Sequence, residues 1–196
     1  MDSLQIDFTT GSVAHRRRFG GGRGQALPRA VGMKTGPVPY VVDATAGLGR
    51  DGFLLASLGA QVTLIERSEQ MHDLLAGALA RGLESGGEVA EITSRMTLLH
   101  GDARDLLAGL KPQVVLVDPM HPPRKGSALV KQEMRLLRDI VGTDGDAAEL
   151  MQVALATARK RVVLKWPLRG KPMAGIRPAS HQILGKSTRY DVFMCG

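Results

Sequence analysis

The stretch Val41-Val42-Asp43-Ala44-Thr45-Ala46-Gly47-Leu48-Gly49-Arg50-Asp51-Gly52 decides the fold. An apolar run ends in an acid, a glycine loop follows, and Arg50 to Leu58 then reads as a helix. Strand, glycine-rich turn and helix in that order are how α/β proteins seat a nucleotide-like cofactor. Gly47, Gly49 and Gly52 also spell G-x-G-x-x-G, so the loop alone fits a dinucleotide as well as other nucleoside-bearing cofactors.

Outward from this stretch, apolar runs alternate with helical patterns. Tyr40–Ala44, Gln61–Glu66, Met96–His100, Val114–Asp118 and Arg161–Trp166 read as strands. They are β-branched or leucine-rich with little alternation, as expected of parallel strands buried on both faces. Ser68 is placed to cap a helix over Glu69–Arg81, and Gly82 to stop it. Ser127–Val141 has apolar residues at near-helical spacing, and Asp146 with Glu149 forms a capping-box-like start for a helix running to Lys160. His181–Leu184 and Tyr190–Cys195 read as two strands joined by Gly185-Lys186-Ser187-Thr188. Leu4–Phe8 has the pattern of a further short strand. The expected architecture is α/β, a seven-stranded and mostly parallel sheet with a C-terminal antiparallel pair. Residues 1–37 form a basic, glycine-rich segment, Pro37 and Pro39 mark the entry to the main fold, and residues 38–196 form one domain without internal repeats.

Composition excludes several classes. With 196 residues, 43% hydrophobic and 23% charged, the chain has the makeup of one globular domain with a real core. One cysteine, Cys195, excludes an internal disulfide and suits a reducing compartment. No apolar run approaches the roughly 20 residues of a membrane span, and Met1–Asp7 lacks the order of a secretion signal; the expected location is the cytoplasm. The five histidines and the cysteine show no metal-ligand spacing, so no metal is expected. The net charge of +7 is unevenly placed: residues 1–39 carry +4, residues 40–158 carry −5 and residues 159–196 carry +8. Two basic ends around an acidic middle favour a polyanion, because each neutralised phosphate releases counterions.

Acids after the first four strands choose among the cofactors. Glu66, 17 residues beyond Gly49, would suit the ribose of a dinucleotide. Asp43, however, stands four residues before Gly47, where an acid can organise the loop or hold an amino group and would repel a pyrophosphate. Asp102 ends the third strand, where a carboxylate can accept a bond from an adenine amino group. The fourth strand ends in Asp118-Pro119-Met120-His121-Pro122. These acids ring the cleft outside the strand C-termini, where α/β sheets bind ligands.

The glycine loop with Asp43, then Glu66, Asp102 and Asp118-Pro119-Met120-His121-Pro122, resembles the class I S-adenosylmethionine-dependent methyltransferases and their Rossmann-like fold. The last motif is similar to the Asp/Asn-Pro-Pro-aromatic element of amino-group methyltransferases. Two further segments, Ala14–Gly24 with its run His15-Arg16-Arg17-Arg18-Phe19 and Ser127–Arg135, narrow the resemblance to the small-subunit ribosomal RNA methyltransferase J family, which methylates guanine N2. Asp102 stands where some relatives have serine, and His121 where phenylalanine is common.

The resemblance implies S-adenosylmethionine as cofactor and small-subunit ribosomal RNA, free or in the assembled subunit, as partner. Gly47 and Gly49 would let the backbone approach the methionine end, with Arg50 and Asp51 lining the same pocket; the plainer reading is a tight βα turn. Glu66 would accept both ribose hydroxyls, Arg67 would cover the adenine, and Asp102 with Ala103 would meet its edge. Asp118, which would also touch the cofactor, and the Pro119 carbonyl would hold the target amine, and His121 would stack on the base. Arg16, Arg17, Arg18 and Arg23 suit RNA backbone contact. Rival readings keep the chemistry on another RNA, DNA or protein, or replace it with an NAD-dependent oxidoreductase or a non-catalytic RNA-binding module.

Overall fold

Seven strands form one sheet in the order β3-β2-β1-β4-β5-β7-β6. The computed structural model describes residues 5–9, 22–119 and 145–196; Arg16, Arg17, Arg18, His121 and the expected helix Ser127–Val141 lie outside the described residues. The strands are β1 (Val41–Asp43), β2 (Val62–Glu66), β3 (Met96–His100), β4 (Val114–Val117), β5 (Arg161–Pro167), β6 (His181–Leu184) and β7 (Thr188–Met194). The helices are α1 (Ala26–Ala30), α2 (Arg50–Ser57), α3 (Glu69–Glu84), α4 (Gly87–Thr93), α5 (Ala103–Leu110) and α6 (Ala147–Thr157). The first five strands pair in parallel, while β7 runs antiparallel between β5 and β6. This is the expected Rossmann-like sheet with its C-terminal antiparallel pair.

Period-two alternation sorts the strand residues onto two cores. Val41, Val62, Leu64, Val114, Leu116 and Val163 pack with helices α1 to α4. Val42, Ile65, Val115, Val117, Val162 and Leu164 pack with α5 and α6 on the opposite face. Both faces are covered, which is why these strands read as continuous apolar runs.

Ile6 and Phe8 join the first core, as do Leu27, Val31 and Met33. Phe8 stacks on Phe53 of α2, centroids 4.8 Å apart and rings within 3° of parallel, a contact worth about 1 kcal/mol beyond its buried area. Residues 5–9 form no strand, against the expectation for Leu4–Phe8; stacking and the Arg81 guanidinium on the Ile6 carbonyl (2.8 Å) hold them instead.

Three helix ends differ from expectation. The Ser68 hydroxyl does cap α3, accepting from the Met71 amide, but the helix continues through Gly82 to Glu84. Gly82 is a packing position: a Cβ there would come within 2.6 Å of Thr93 Cγ2 on α4. Asp146 precedes α6 without capping it by side chain, because its carboxylate serves Arg67 and Arg104. That helix ends at Thr157, and Ala158 is already extended.

Gly49 shows how tightly the glycine loop is built. Its φ is +67°, and a Cβ would lie 2.8 Å from Leu75 Cδ2 and 3.1 Å from Phe8 Cζ. A Cβ on Gly52 would come within 2.5 Å of Leu64 Cδ2, so this glycine serves helix–sheet packing. Gly49→Ala combines left-handed strain with overpacking and should cost about 2 kcal/mol or more, read as a lower urea midpoint at unchanged slope; an unchanged midpoint would refute this reading of the loop.

Candidate functional site

Sheet order reverses between β1 and β4, and α/β sheets bind ligands in the crevice beyond the strand ends at such a point. A cleft open to solvent lies there. Its lining includes Gly47, Glu66, Arg67, Asp102, Ala103, Asp118 and Pro119, seven of the residues singled out from sequence. Ile65 and Leu150 supply apolar surface. Asp43, Gly49, Arg50 and Asp51 are not among its lining residues.

Glu66 ties the loop together. It is 4% exposed, and its two carboxylate oxygens accept from the Gly47 amide (3.0 Å) and the Ser68 amide (2.9 Å). Burial raises its pKa against the lowering effect of those bonds. The carboxylate has about four acceptor directions and the backbone amides of Gly47, Ser68 and Arg67 take at most three, so capacity remains for a ligand hydroxyl. Gly47, at φ +50°, has no atom nearer its missing Cβ than the Thr45 carbonyl at 3.9 Å, leaving its backbone open to a ligand.

The opposite wall is a charge network. Asp102 caps α5 through the Arg104 amide (2.8 Å) and meets the Arg104 guanidinium through both oxygens. That guanidinium holds the Asp102 carboxyl below its ordinary range. Arg104 also reaches Glu149 (2.7 Å) and Asp146 (3.2 Å), and Arg67 reaches Asp146 (2.8 Å). The cations of this wall are therefore engaged by acids. Four acids (Glu66, Asp102, Asp118 and Asp146) and two arginines line the cleft, a balance that suits a cationic ligand and opposes a pyrophosphate.

The third group centres on Lys165 at the end of β5. Its ammonium lies 2.6 Å from Asp118 Oδ2 and 2.7 Å from Asp51 Oδ2. Burial works against the charged ammonium, but the two carboxylates outweigh it and push its pKa above the lysine range. The Asp118 amide donates to Thr45 Oγ1 at 2.7 Å, while the Thr45 amide donates to Asp43 Oδ1 at 3.2 Å. Asp43, Thr45 and Asp118 thus lock the ends of β1 and β4 together. Asp43 is 2% exposed, and burial, helped by the nearby Asp51 charge, pushes its pKa up to about 7.

Sequence reasoning underrated three of these side chains. The sequence assigned no site role to Lys165 or Thr45 and read Asp146 as a cap; each takes its role from a partner distant in sequence. Arg23 is exposed, and its guanidinium donates to the Leu58 carbonyl (3.3 Å), beyond the C-terminal end of α2. The cleft faces the other end of that helix, so the structure does not bring Arg23 to it. Among the described residues no three His, Cys, Asp or Glu side chains form a metal-binding group, and no helix is long and apolar enough to cross a membrane.

Comparison with known proteins agrees with this geometry. A family model described as "SAM-dependent methyltransferase" matches residues 1–195. The chain is similar to the ribosomal RNA small subunit methyltransferase J of Brucella anthropi, 69% identical over 97% of this chain and 93% of that protein. It is also similar to the enzyme of the same name from Agrobacterium fabrum, 66% identical over 98% of this chain and 93% of the relative. Among solved structures, the SAM-dependent methyltransferase NGO1261 of Neisseria gonorrhoeae superposes with a TM-score of 0.77 at 35% identity, covering 99% of this chain and 75% of that one.

Asp43 carries a pH signature. Its folded pKa of about 7 lies above the ordinary 3.8, so between these values the folded state holds a proton that the unfolded state has lost. The contribution of Asp43 to stability is then fullest below pH 4 and is lost as pH rises to 7. Relative to wild type, Asp43→Asn should gain stability across that interval, by as much as about 4 kcal/mol. Denaturation at pH 4, 5.5 and 7 checks this; a pH-independent difference between the two proteins would refute it.

Proposed function

The chain belongs to the ribosomal RNA small subunit methyltransferase J family of S-adenosylmethionine-dependent enzymes, and on that premise we propose that it methylates the exocyclic N2 of a guanosine in 16S ribosomal RNA, acting in the cytoplasm on free RNA or the small subunit. The observation that carries this reading is the Asp118-Pro119 pair at the topological switch point, held beside an acid-lined cleft by Lys165.

The cleft fits the cofactor. Gly47 offers open backbone for the methionine end, with Gly49, Arg50, Asp51 and the buried Asp43 fixing the loop behind it. The remaining acceptor capacity of the Glu66 carboxylate suits the ribose hydroxyls. Oδ1 of Asp102 is filled by two donors and Oδ2 by one, leaving one acceptor for an adenine amino group beside Ala103. Arg67, tethered to Asp146, lies on the same wall. When bound, S-adenosylmethionine supplies a methyl group on a sulfonium.

The protein's task is then orientation. A guanine amino group is a weak nucleophile because its lone pair is delocalised into the ring. The Asp118 carboxylate and the Pro119 carbonyl are acceptors for its two N–H groups, and together they would fix the direction of the nitrogen. Pro119 stiffens the turn. Such positioning can supply several of the roughly 7–11 kcal/mol available from orientation. His121 follows in sequence as the stacking partner of a base taken out of its helix. Residues 38–196 would carry cofactor and chemistry, while Arg16, Arg17, Arg18 and Arg23 of residues 1–37 would contact RNA.

Transfer of label from S-adenosylmethionine should mark small subunits or their RNA and spare DNA and protein; labelling of protein alone overturns the proposal. Asp118→Ala should lower turnover by roughly 100-fold or more with cofactor affinity, read by calorimetry, within a few-fold of wild type. Lys165→Met should reduce kcat as much as about 100-fold at little changed cofactor affinity, with partial rescue in Lys165→Arg; unchanged kcat would remove Lys165 from the positioning role.

A further inference from the structure

The cleft edge is electrically two-sided. Asp102, Asp105, Asp146 and Glu149 stand on the side of β3, α5 and α6, where the cofactor is proposed to bind. On the other side of Asp118 the sequence turns basic. Arg169 and Lys171 lie just beyond β5, and Lys186 lies in the turn between β6 and β7. Strand register brings them to one edge: Pro167 pairs with Thr188 and Leu184 with Arg189, while the Gly185 amide closes the turn on the Thr188 carbonyl at 2.8 Å. This edge is continuous with the end of β4, where Asp118 and Pro119 sit, because β5 pairs directly with β4.

All three cations are exposed, and none makes a side-chain hydrogen bond or ion pair among the described residues. The basic side chains around them differ. Lys165 is spent on Asp51 and Asp118. Arg189, 5% exposed, is spent on Asp191 and on the carbonyls of Pro167, Leu168 and Gly170. That buried arginine therefore grips the backbone from which Arg169 and Lys171 project. A second tie comes from Trp166, whose indole N–H donates to the Lys171 carbonyl at 2.7 Å. A loop held this way offers its charges with little ordering left to lose on binding.

We propose that Arg169, Lys171 and Lys186 form the surface that grips the phosphate backbone of the substrate RNA next to its target nucleotide. The inference rests on the ribosomal RNA reading above. It places the strand on the β5–β7 side of Asp118, away from the acids of the cofactor wall. Phosphates would be repelled there by Asp146 and Glu149 and attracted here by three unpaired cations. Arg189 is a positioning residue for this surface and touches no RNA.

The test compares two triple variants of the full chain with wild type. One removes the surface: Arg169→Ala, Lys171→Ala and Lys186→Ala. The other removes three exposed charges from the opposite edge of the sheet: Lys111→Asn, Arg159→Ala and Lys160→Ala. Methyl transfer to small-subunit RNA is measured from low to high salt, and S-adenosylmethionine binding serves as the check on folding. The first variant should raise KM for RNA about tenfold or more at low salt and reduce the salt slope by about 2 to 3, with kcat and cofactor affinity near wild type. The second should leave KM near wild type. Equal effects of the two variants, or none from the first, overturn the surface while leaving the RNA reading intact. A wild-type protein that labels no RNA overturns both.

Discussion

One ammonium group organises the working edge of this molecule. Lys165 ends β5, Asp118 follows β4 and Asp51 opens α2, and the ammonium lies within 2.7 Å of an oxygen of each carboxylate. Without the lysine, two carboxylates would face each other next to a third, the buried Asp43. Coulombic repulsion in that partly dry setting would drive the loops apart or force protonation. With it, the glycine loop, the first turn of α2 and the Asp118-Pro119 turn are referenced to a single point. Thr45 adds a neutral link between the ends of β1 and β4, accepting from Asp118 and donating to Asp43.

From this point the cleft divides into functions by charge. The walls built by β2, β3 and α6 are rich in carboxylates whose partners are backbone amides and two arginines. Such a wall tolerates hydroxyls, amino groups and a positive centre, and it discriminates against the pyrophosphate that the same glycine spacing would otherwise admit. The β5–β7 side carries the unspent cations. A nucleoside-bearing cation and a polyanionic substrate thereby have separate approaches to Asp118, and neither has to cross the other's field.

The sequence disclosed the parts of this arrangement that depend on near neighbours. Strand positions followed from apolar runs, Ser68 from its place before a helix, and the loop from its glycines. Glu66 and Asp102 were legible because an acid at a strand end has few structural reasons to be there. What was not legible depends on partners far along the chain. Lys165 lies 114 residues from Asp51 and 47 from Asp118, and Arg67 lies 79 from Asp146; a single sequence carries no mark of such pairs. Gly82 looked like a helix stop because glycine commonly is one, whereas the close approach of α4 required it inside the helix. Arg23 stands in a glycine-rich stretch, and the tie from its guanidinium to the Leu58 carbonyl, 35 residues away, has no mark in the sequence.

The central claim is that this edge directs a methyl group onto a guanine amine of small-subunit ribosomal RNA. Nucleoside mass spectrometry of that RNA, taken from cells with and without the protein, tests it most directly. The account predicts that one N2-methylguanosine is lost when the protein is absent and returns when it is restored. An unchanged complement of N2-methylguanosine in the small subunit, with methylation altered elsewhere or nowhere, would contradict it.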